Sequence, residues 1–223
     1  MRLAAALALL ILATGAAQGS DRRVPVDPNA PPWNAIANVQ SSIGGHCTGV
    51  LIAPSVVLTA AHCLYNPRTQ ALLQPVSLHV LFGYQRDAYR WHRQVARIAV
   101  GPRFDGTTGR PQPGDWARLE LTETVPVTPL PLFEGSAGSG IEVALAGYNQ
   151  DRAQVLMADL ACHVLHVATL SGGANFVFHD CAATRGTSGA PLLTKRDGGW
   201  VIIAINIAAS HTENLALSAR FGN

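Results

Sequence analysis

The sequence predicts an all-β protein of the barrel or sandwich class, on three observations. Short segments rich in Val, Ile and Leu recur at intervals of roughly 8 to 15 residues, the spacing of small-barrel strands. Gly, Pro, Asn and Asp stand between them as turn residues. No long amphipathic stretch of helical period interrupts the series. Composition agrees: of 223 residues 48% are hydrophobic and 13% charged, with 21 Gly and 14 Pro, so the chain can bury a core and is neither disordered nor a coiled coil. Sixteen Lys and Arg against fourteen Asp and Glu leave a net charge of +2 without a basic run. Nothing there supports a counterion-driven grip on nucleic acid, and no nucleic-acid partner is expected.

Along the chain, residues 1–19 read as a signal peptide: Met1-Arg2, an apolar run from Leu3 to Ala13, then small residues to Gly19. The run is too short to span a bilayer, so no membrane anchor is expected once it is removed, and a buried N-terminal helix is the alternative. The mature protein is therefore expected to be secreted, to a periplasm or to the medium. Residues 20–32 form an arm in which Pro25, Pro28, Pro31 and Pro32 rule out a helix and favour an extended strap or linker. Strand-like segments follow at 48–52, 56–59, 76–82, 94–100 and 116–121, then at 141–146, 161–167, 176–179, 191–194 and 200–208. Residues 153–160 could add a helical turn or two. The Pro-containing loop 122–139 is the one stretch long enough to divide two β units, placed at 33–125 and 126–223.

Export changes how the cysteines read. Cys47, Cys63, Cys162 and Cys181 are an even set in an oxidising compartment, so two disulfides are expected, and three connectivities are open. A zinc site fails on spacing, since no C-x-x-C pair exists. His163 and His166, three apart on a strand, are expected on opposite faces and unable to share a metal, and no metal site is predicted. Trp33, Trp91 and Trp200 read as core or strap-packing residues.

Three segments carry chemistry. Leu58-Thr59-Ala60-Ala61-His62-Cys63 places a histidine, a proton acceptor and donor near neutral pH, next to an anchoring cysteine. Arg185-Gly186-Thr187-Ser188-Gly189-Ala190-Pro191 sets a serine between glycines, whose freedom to turn can bring bare N–H groups beside the serine oxygen. Gly114-Asp115 opens an alternating strand in which Ala117, Leu119 and Leu121 share a buried face, putting a carboxylate at the edge of a core. Asp105 is the rival acid, in a plain turn composition, Phe104-Asp105-Gly106-Thr107. Taken singly, each has a plain structural reading as core histidine, Gly-Ser turn or strand-end acid.

Together, in the order His, Asp, Ser, they resemble the chymotrypsin-like (trypsin-like) serine proteases. Cys47-Thr48-Gly49-Val50-Leu51-Ile52 and Val57-Leu58-Thr59-Ala60-Ala61-His62-Cys63 are similar to that family's first-barrel signature. Asp115-Trp116-Ala117-Arg118-Leu119 looks like its aspartate strand, and Gly186-Thr187-Ser188-Gly189-Ala190-Pro191 like its serine loop. The resemblance implies two six-stranded antiparallel Greek-key barrels of the chymotrypsin type with the active site in the cleft between them. It implies His62 as general base, Asp115 as its orienting carboxylate, Ser188 as nucleophile, and Gly186 and Ser188 N–H as the oxyanion hole. It also implies a Cys47–Cys63 bridge, which by elimination leaves Cys162 and Cys181 to join each other, a pairing not common in the mammalian enzymes. Thr187 stands where trypsin carries an aspartate that pairs with a new N-terminal amine, which resembles the bacterial glutamyl-endopeptidase-like branch and implies a serine loop set without that ion pair.

The specificity pocket implied by the resemblance comprises Ala182, Ala183, Asn206, Ile207, Ala208 and Ala209. Ala182 occupies the pocket-floor position that is acidic in trypsin, so cleavage after Arg or Lys is not expected. Asn206 stands near the place of the histidine of glutamyl endopeptidases, with His211 or Arg185 as other receivers for an acidic side chain. The alanines predict a small or apolar preference. His179, beside Asp180 and Cys181, is expected at the surface, with an approach to the site as the alternative. The reading is a secreted, monomeric serine endopeptidase acting on polypeptides and needing no cofactor. A catalytically idle binding module or scaffold and a serine esterase are the alternatives.

Overall fold

The computed structural model describes residues 21–135, 137–170, 173–210, 213–218 and 221. The expected signal peptide and His211 lie outside these. Among the described residues, helical structure is confined to 3₁₀ turns, and the chain is otherwise strand and turn.

Two closed antiparallel barrels make up the fold. The first contains β2 (Ile36–Ser41), β3 (His46–Ala53), β4 (Val56–Thr59), β7 (Leu78–Phe82), β8 (Trp91–Val100) and β9 (Ala117–Leu121). Its ladder runs β2-β3-β4-β9-β8-β7 and closes on itself. The second contains β10 (Glu142–Tyr148), β11 (Leu156–Thr169), β12 (Asn175–His179), β13 (Pro191–Arg196), β14 (Gly199–Ala208) and β15 (Asn214–Ser218). Its pairings run β10-β11-β12-β15-β14-β13 and back to β10. Numbered within each barrel, both ladders follow the order first, second, third, sixth, fifth, fourth. A short hairpin, β5 (Tyr65–Asn66) with β6 (Ala71–Leu72), follows the His62 turn. The arm adds a two-residue strand, β1 (Val24–Pro25), to the edge of β11. Among the described residues, closure pairs every barrel strand on both sides.

Alternation explains the strands that sequence reading found. In β9, Ala117, Leu119 and Leu121 point inward while Arg118 and Glu120 reach solvent. Each barrel fills with its own inward residues, Leu51, Val57, Val80 and Leu119 in the first and Val143, Val164, Leu192 and Ile203 in the second. A third apolar seam, including Ile36, Leu81, Tyr84, Tyr148 and Leu156, packs β2 and β7 against β10 and β11 and joins the barrels. There Tyr148 donates its hydroxyl to Tyr84 O at 3.0 Å. Trp33, Trp91 and Trp200 are part-buried against the core.

Three expectations change. Residues 153–160 are not helical: after a 3₁₀ turn at Gln150–Arg152, β11 begins at Leu156, and its first residues are buried on both faces, which erases the strand period. Strands β2 and β15 were not foreseen. Buried Asn38 and Asn214 stand where an apolar residue would have marked them. A bulge between Val164 and His166 interrupts alternation, so His163 and His166 are both exposed rather than on opposite faces.

Candidate active site

His62 lies on the 3₁₀ turn Ala61–Leu64 just after β4, and Asp115 just before β9. Because Thr59 pairs with Ala117 in the ladder, the end of one strand is held beside the start of the other. Asp115 uses both carboxylate oxygens on His62: Oδ1 accepts from the backbone N–H at 2.9 Å, and Oδ2 lies 2.8 Å from Nδ1. The carboxylate side chain is 5% exposed and the imidazole 40% exposed. An anion at Nδ1 keeps that nitrogen protonated, so Nε2 faces solvent as the acceptor. Asp105 is engaged elsewhere: its Oδ1 accepts from Thr107 N and Oγ1, which holds its carboxyl below the usual range.

Ser188 sits in the turn before β13, across the cleft. Thr48, the third residue of β3, clamps this loop to the first barrel. Its N–H donates to Ser188 O at 2.9 Å, its hydroxyl donates to Gly186 O at 2.9 Å, and the same oxygen accepts from Tyr148 N at 2.9 Å. Thr59 Oγ1 donates to Thr48 O at 2.7 Å. Two glycines let the loop lie this close. A Cβ on Gly189, φ +81°, would meet Thr48 O at 2.1 Å, and one on Gly186, φ +93°, would meet Tyr148 O at 2.4 Å. Thr187 N–H bonds back to Thr184 O, whereas among the described residues neither Gly186 N–H nor Ser188 N–H has a partner. Two unspent N–H groups, the serine's own and that of the residue two before it, suit a developing oxyanion. No hydrogen bond joins Ser188 Oγ to His62 Nε2 here; such contacts tighten when substrate is bound.

Thr48 was quoted in the sequence only as part of a motif, and its role as a clamp was missed. Thr48→Val keeps the shape but leaves Gly186 O and Tyr148 N without that partner. We expect about a tenfold fall in turnover and a loss of ~1–3 kcal/mol of stability, read from steady-state kinetics and urea unfolding.

Ser188, His62 and Asp115 share a cleft of about 460 Å³ whose walls also include Arg110, Arg185 and Ile207. The implied specificity residues divide. Asn206, Ile207, Ala208 and Ala209 line this cleft, whereas Ala182 and Ala183 line a second hollow of about 200 Å³ with Asp21, Arg23, Asp180 and Glu213. Among the described residues, Thr184 alone borders both. Asn206 is buried, and its amide is spent within the protein: Oδ1 accepts from His179 Nε2 at 3.1 Å and Nδ2 donates to Thr187 Oγ1 at 3.2 Å. Thr187 Oγ1 in turn donates to Thr184 O at 2.6 Å. Neutral hydrogen bonds therefore hold the loop where the resemblance has an acid in trypsin. Ala190 is buried over Gly147, which leaves room for its methyl group.

His179 corrects a further expectation, being fully buried instead of at the surface. Strand β12 turns it inward, and burial lowers its pKa to about 4, although Asn206 and the charges of Asp180 and Asp159 pull the other way. A folded pKa below the unfolded value of 6.5 means the unfolded chain binds the extra proton first. Its contribution to stability is full above about pH 6.5 and is lost as pH falls towards 4, by ~3 kcal/mol. His179→Gln, which can still donate to Asn206, should flatten the fall in denaturation midpoint between pH 7 and 4.5; an unchanged slope would remove His179 from the account.

Among the described residues, Cys47, Cys63 and His62 are the one group of three ligand atoms close enough to hold a metal. Both sulfurs are bonded to each other, as are those of Cys162 and Cys181, so neither cysteine offers a thiolate.

The model of the trypsin family matches residues 22–217. The chain belongs to the trypsin family. It is 49% identical over 49 residues to the glutamyl endopeptidase of Bacillus licheniformis, a match covering 22% of this chain and 15% of that one. It is 28% identical over 144 residues to human mannan-binding lectin serine protease 1, covering 56% of this chain and 20% of the relative. The trypsin-family chain thus spans about a fifth or less of those relatives' lengths. A solved structure, "Structure of Glu endopeptidase in complex with MPD", superposes with a TM-score of 0.75 at 21% identity, covering 91% of this chain and 94% of that one. That likeness shows the two-barrel fold.

Proposed function

We propose that the protein is a secreted serine endopeptidase that hydrolyses peptide bonds through an acyl-enzyme. The observation that carries this is the two-pronged grip of Asp115 on His62, facing a serine whose flanking N–H groups are unspent. His62 Nε2 takes the Ser188 hydroxyl proton as Oγ bonds to the scissile carbonyl carbon. The oxyanion forms against Gly186 and Ser188 N–H, and the Asp115 charge stabilises the imidazolium. Collapse breaks the C–N bond while His62 returns the proton to the leaving amine. Water, activated by the same imidazole, then frees the acid product. No step requires a cofactor, and the enzyme acts as a monomer.

Strand β13 stops pairing β14 at Pro191 opposite Ile205, so the edge of Ile207 and Ala208 on that side borders the cleft. A substrate backbone laid along this edge would extend the sheet, and its side chain would meet Ala208 and Ala209. This favours a small or apolar residue before the cut bond. The two disulfides suit an oxidising, extracytoplasmic setting. The test is digestion of a proteome-derived peptide mixture with sequencing of the new termini. Small or apolar residues before the cut support the specificity; a profile dominated by Arg and Lys, or by Glu, contradicts it.

A further inference from the structure

The arm docks its two arginines on the far side of the pocket wall. Arg22 Nε and Nη2 reach Asp159 Oδ2 at 3.1 and 3.0 Å, and Nη2 also donates to Asp180 O. Asp159 is buried, and that same oxygen accepts from Ala182 N at 2.8 Å. Arg23, its side chain 9% exposed, forks between Asp21 and Asp151, at 2.8 and 2.7 Å, and donates to Asn149 Oδ1 at 2.7 Å. Asn149 Oδ1 and Asp151 Oδ1 are also the acceptors for Thr184: its N–H and hydroxyl reach the first at 3.2 Å each, and its hydroxyl reaches the second at 2.9 Å. Each arginine therefore fixes the acceptors that hold the backbone of residues 182–184. Two residues further on, Gly186 presents one of the unspent N–H groups. Arm strand β1, paired to β11, keeps both guanidinium groups at this station.

We infer that Arg22 and Arg23 are positioning residues, which hold the wall segment 182–185 and the adjoining Gly186 N–H in their substrate-ready place. The inference rests on the proposed reading of Ser188 as nucleophile. The buried Asp159 charge needs a cation for compensation, and Arg22 is the one it has among the described residues. The planar fork of Arg23 makes five hydrogen bonds to two carboxylates and an amide oxygen at once, more than the three donors of a lysine ammonium can make. The arm thus acts through side chains, with no requirement for a free N-terminal amine, in a loop whose Thr187 offers no anion to receive one.

The test compares the full chain with Arg22→Ala, Arg23→Ala, Arg23→Lys and the control Arg97→Ala, which removes an exposed ion pair to Glu120 on the first barrel. Two readouts are taken: amide hydrogen exchange at residues 182–186, and kcat and KM per site titrated with a phosphonylating serine reagent. Site titration removes any loss that is merely unfolding. Arg23→Ala is expected to lower kcat/KM per titrated site about 10- to 100-fold, chiefly in kcat, since sub-ångström misplacement acts on the transition state. Exchange at 182–186 rises while the barrels stay protected. Arg23→Lys recovers part of the loss, and Arg97→Ala matches wild type. If Arg22→Ala cannot fold with Asp159 uncompensated, Arg23→Ala carries the test, because Asp21 and Asp151 are 35% and 45% exposed. Unchanged exchange and kcat/KM within twofold of wild type in Arg23→Ala overturn the inference. A wild-type chain that neither titrates nor cleaves, yet loses protection at 182–186 in the variants, overturns the reading of Ser188 and leaves the strap standing.

Discussion

Ser188→Ala is expected to fold as the wild type does and to lose turnover by about 10⁶. The fold survives because the loop is held by groups the substitution leaves alone: Ser188 O still accepts from Thr48 N, and Gly189 N still donates to Asn206 O at 2.7 Å. The hydroxyl itself has no partner to lose among the described residues, so no buried polar group is stranded. What disappears is the oxygen that must bond to the carbonyl carbon. Gly186 and Ser188 N–H remain and can still polarise a bound carbonyl, so a residual rate above the uncatalysed one is compatible with the proposal. Near-normal turnover in the purified variant would end it. Circular dichroism and urea midpoints on the same sample show that the loss is chemical.

Asp115→Asn is expected to cost about 10⁴ in kcat with little change in fold. The asparagine oxygen can keep the 2.9 Å bond from His62 N, which anchors the turn. Its amide nitrogen is then left facing Nδ1 as a donor. That favours the tautomer with the proton on Nε2, and an imidazole protonated there cannot take the proton of Ser188. The loss is one of proton position, so Asp115→Asn should still bind substrate with a similar KM. A drop below tenfold would mean that Asp115 is a structural anchor for the turn and no part of the proton relay.

How far these features were legible depended on how locally each was encoded. The His62 turn, the Asp115 strand and the Ser188 loop each announce themselves within about ten residues, through small residues, glycines and strand alternation. The barrel closure was legible only as a class, since the partner of a strand is not written in its own residues. Strands β2 and β15 were lost because the buried Asn38 and Asn214 break their apolar pattern, and the bonds that support Asn214, from Ser210 N and to Cys181 O, are tertiary. His179 was placed at the surface because its neighbour Asp180 is charged, whereas the β12 register turns it inward. The docking of Arg22 on Asp159 links residues 137 apart, and the two-pronged use of Asp151 by Arg23 links residues 128 apart. No periodicity or motif carries pairings of that separation. The one local hint was the paired arginines near the start of the Pro-rich arm, which composition alone would assign to solvent.

The central claim is that Ser188 is made nucleophilic by His62 and Asp115. Its most direct measurement is mass spectrometry of the intact and digested protein after treatment with a fluorophosphonate. The account predicts one adduct per chain, on Ser188 and on no other serine, and predicts that this labelling is abolished in His62→Ala. Absence of the adduct, or equal labelling of Ser188 in the His62→Ala protein, would contradict it.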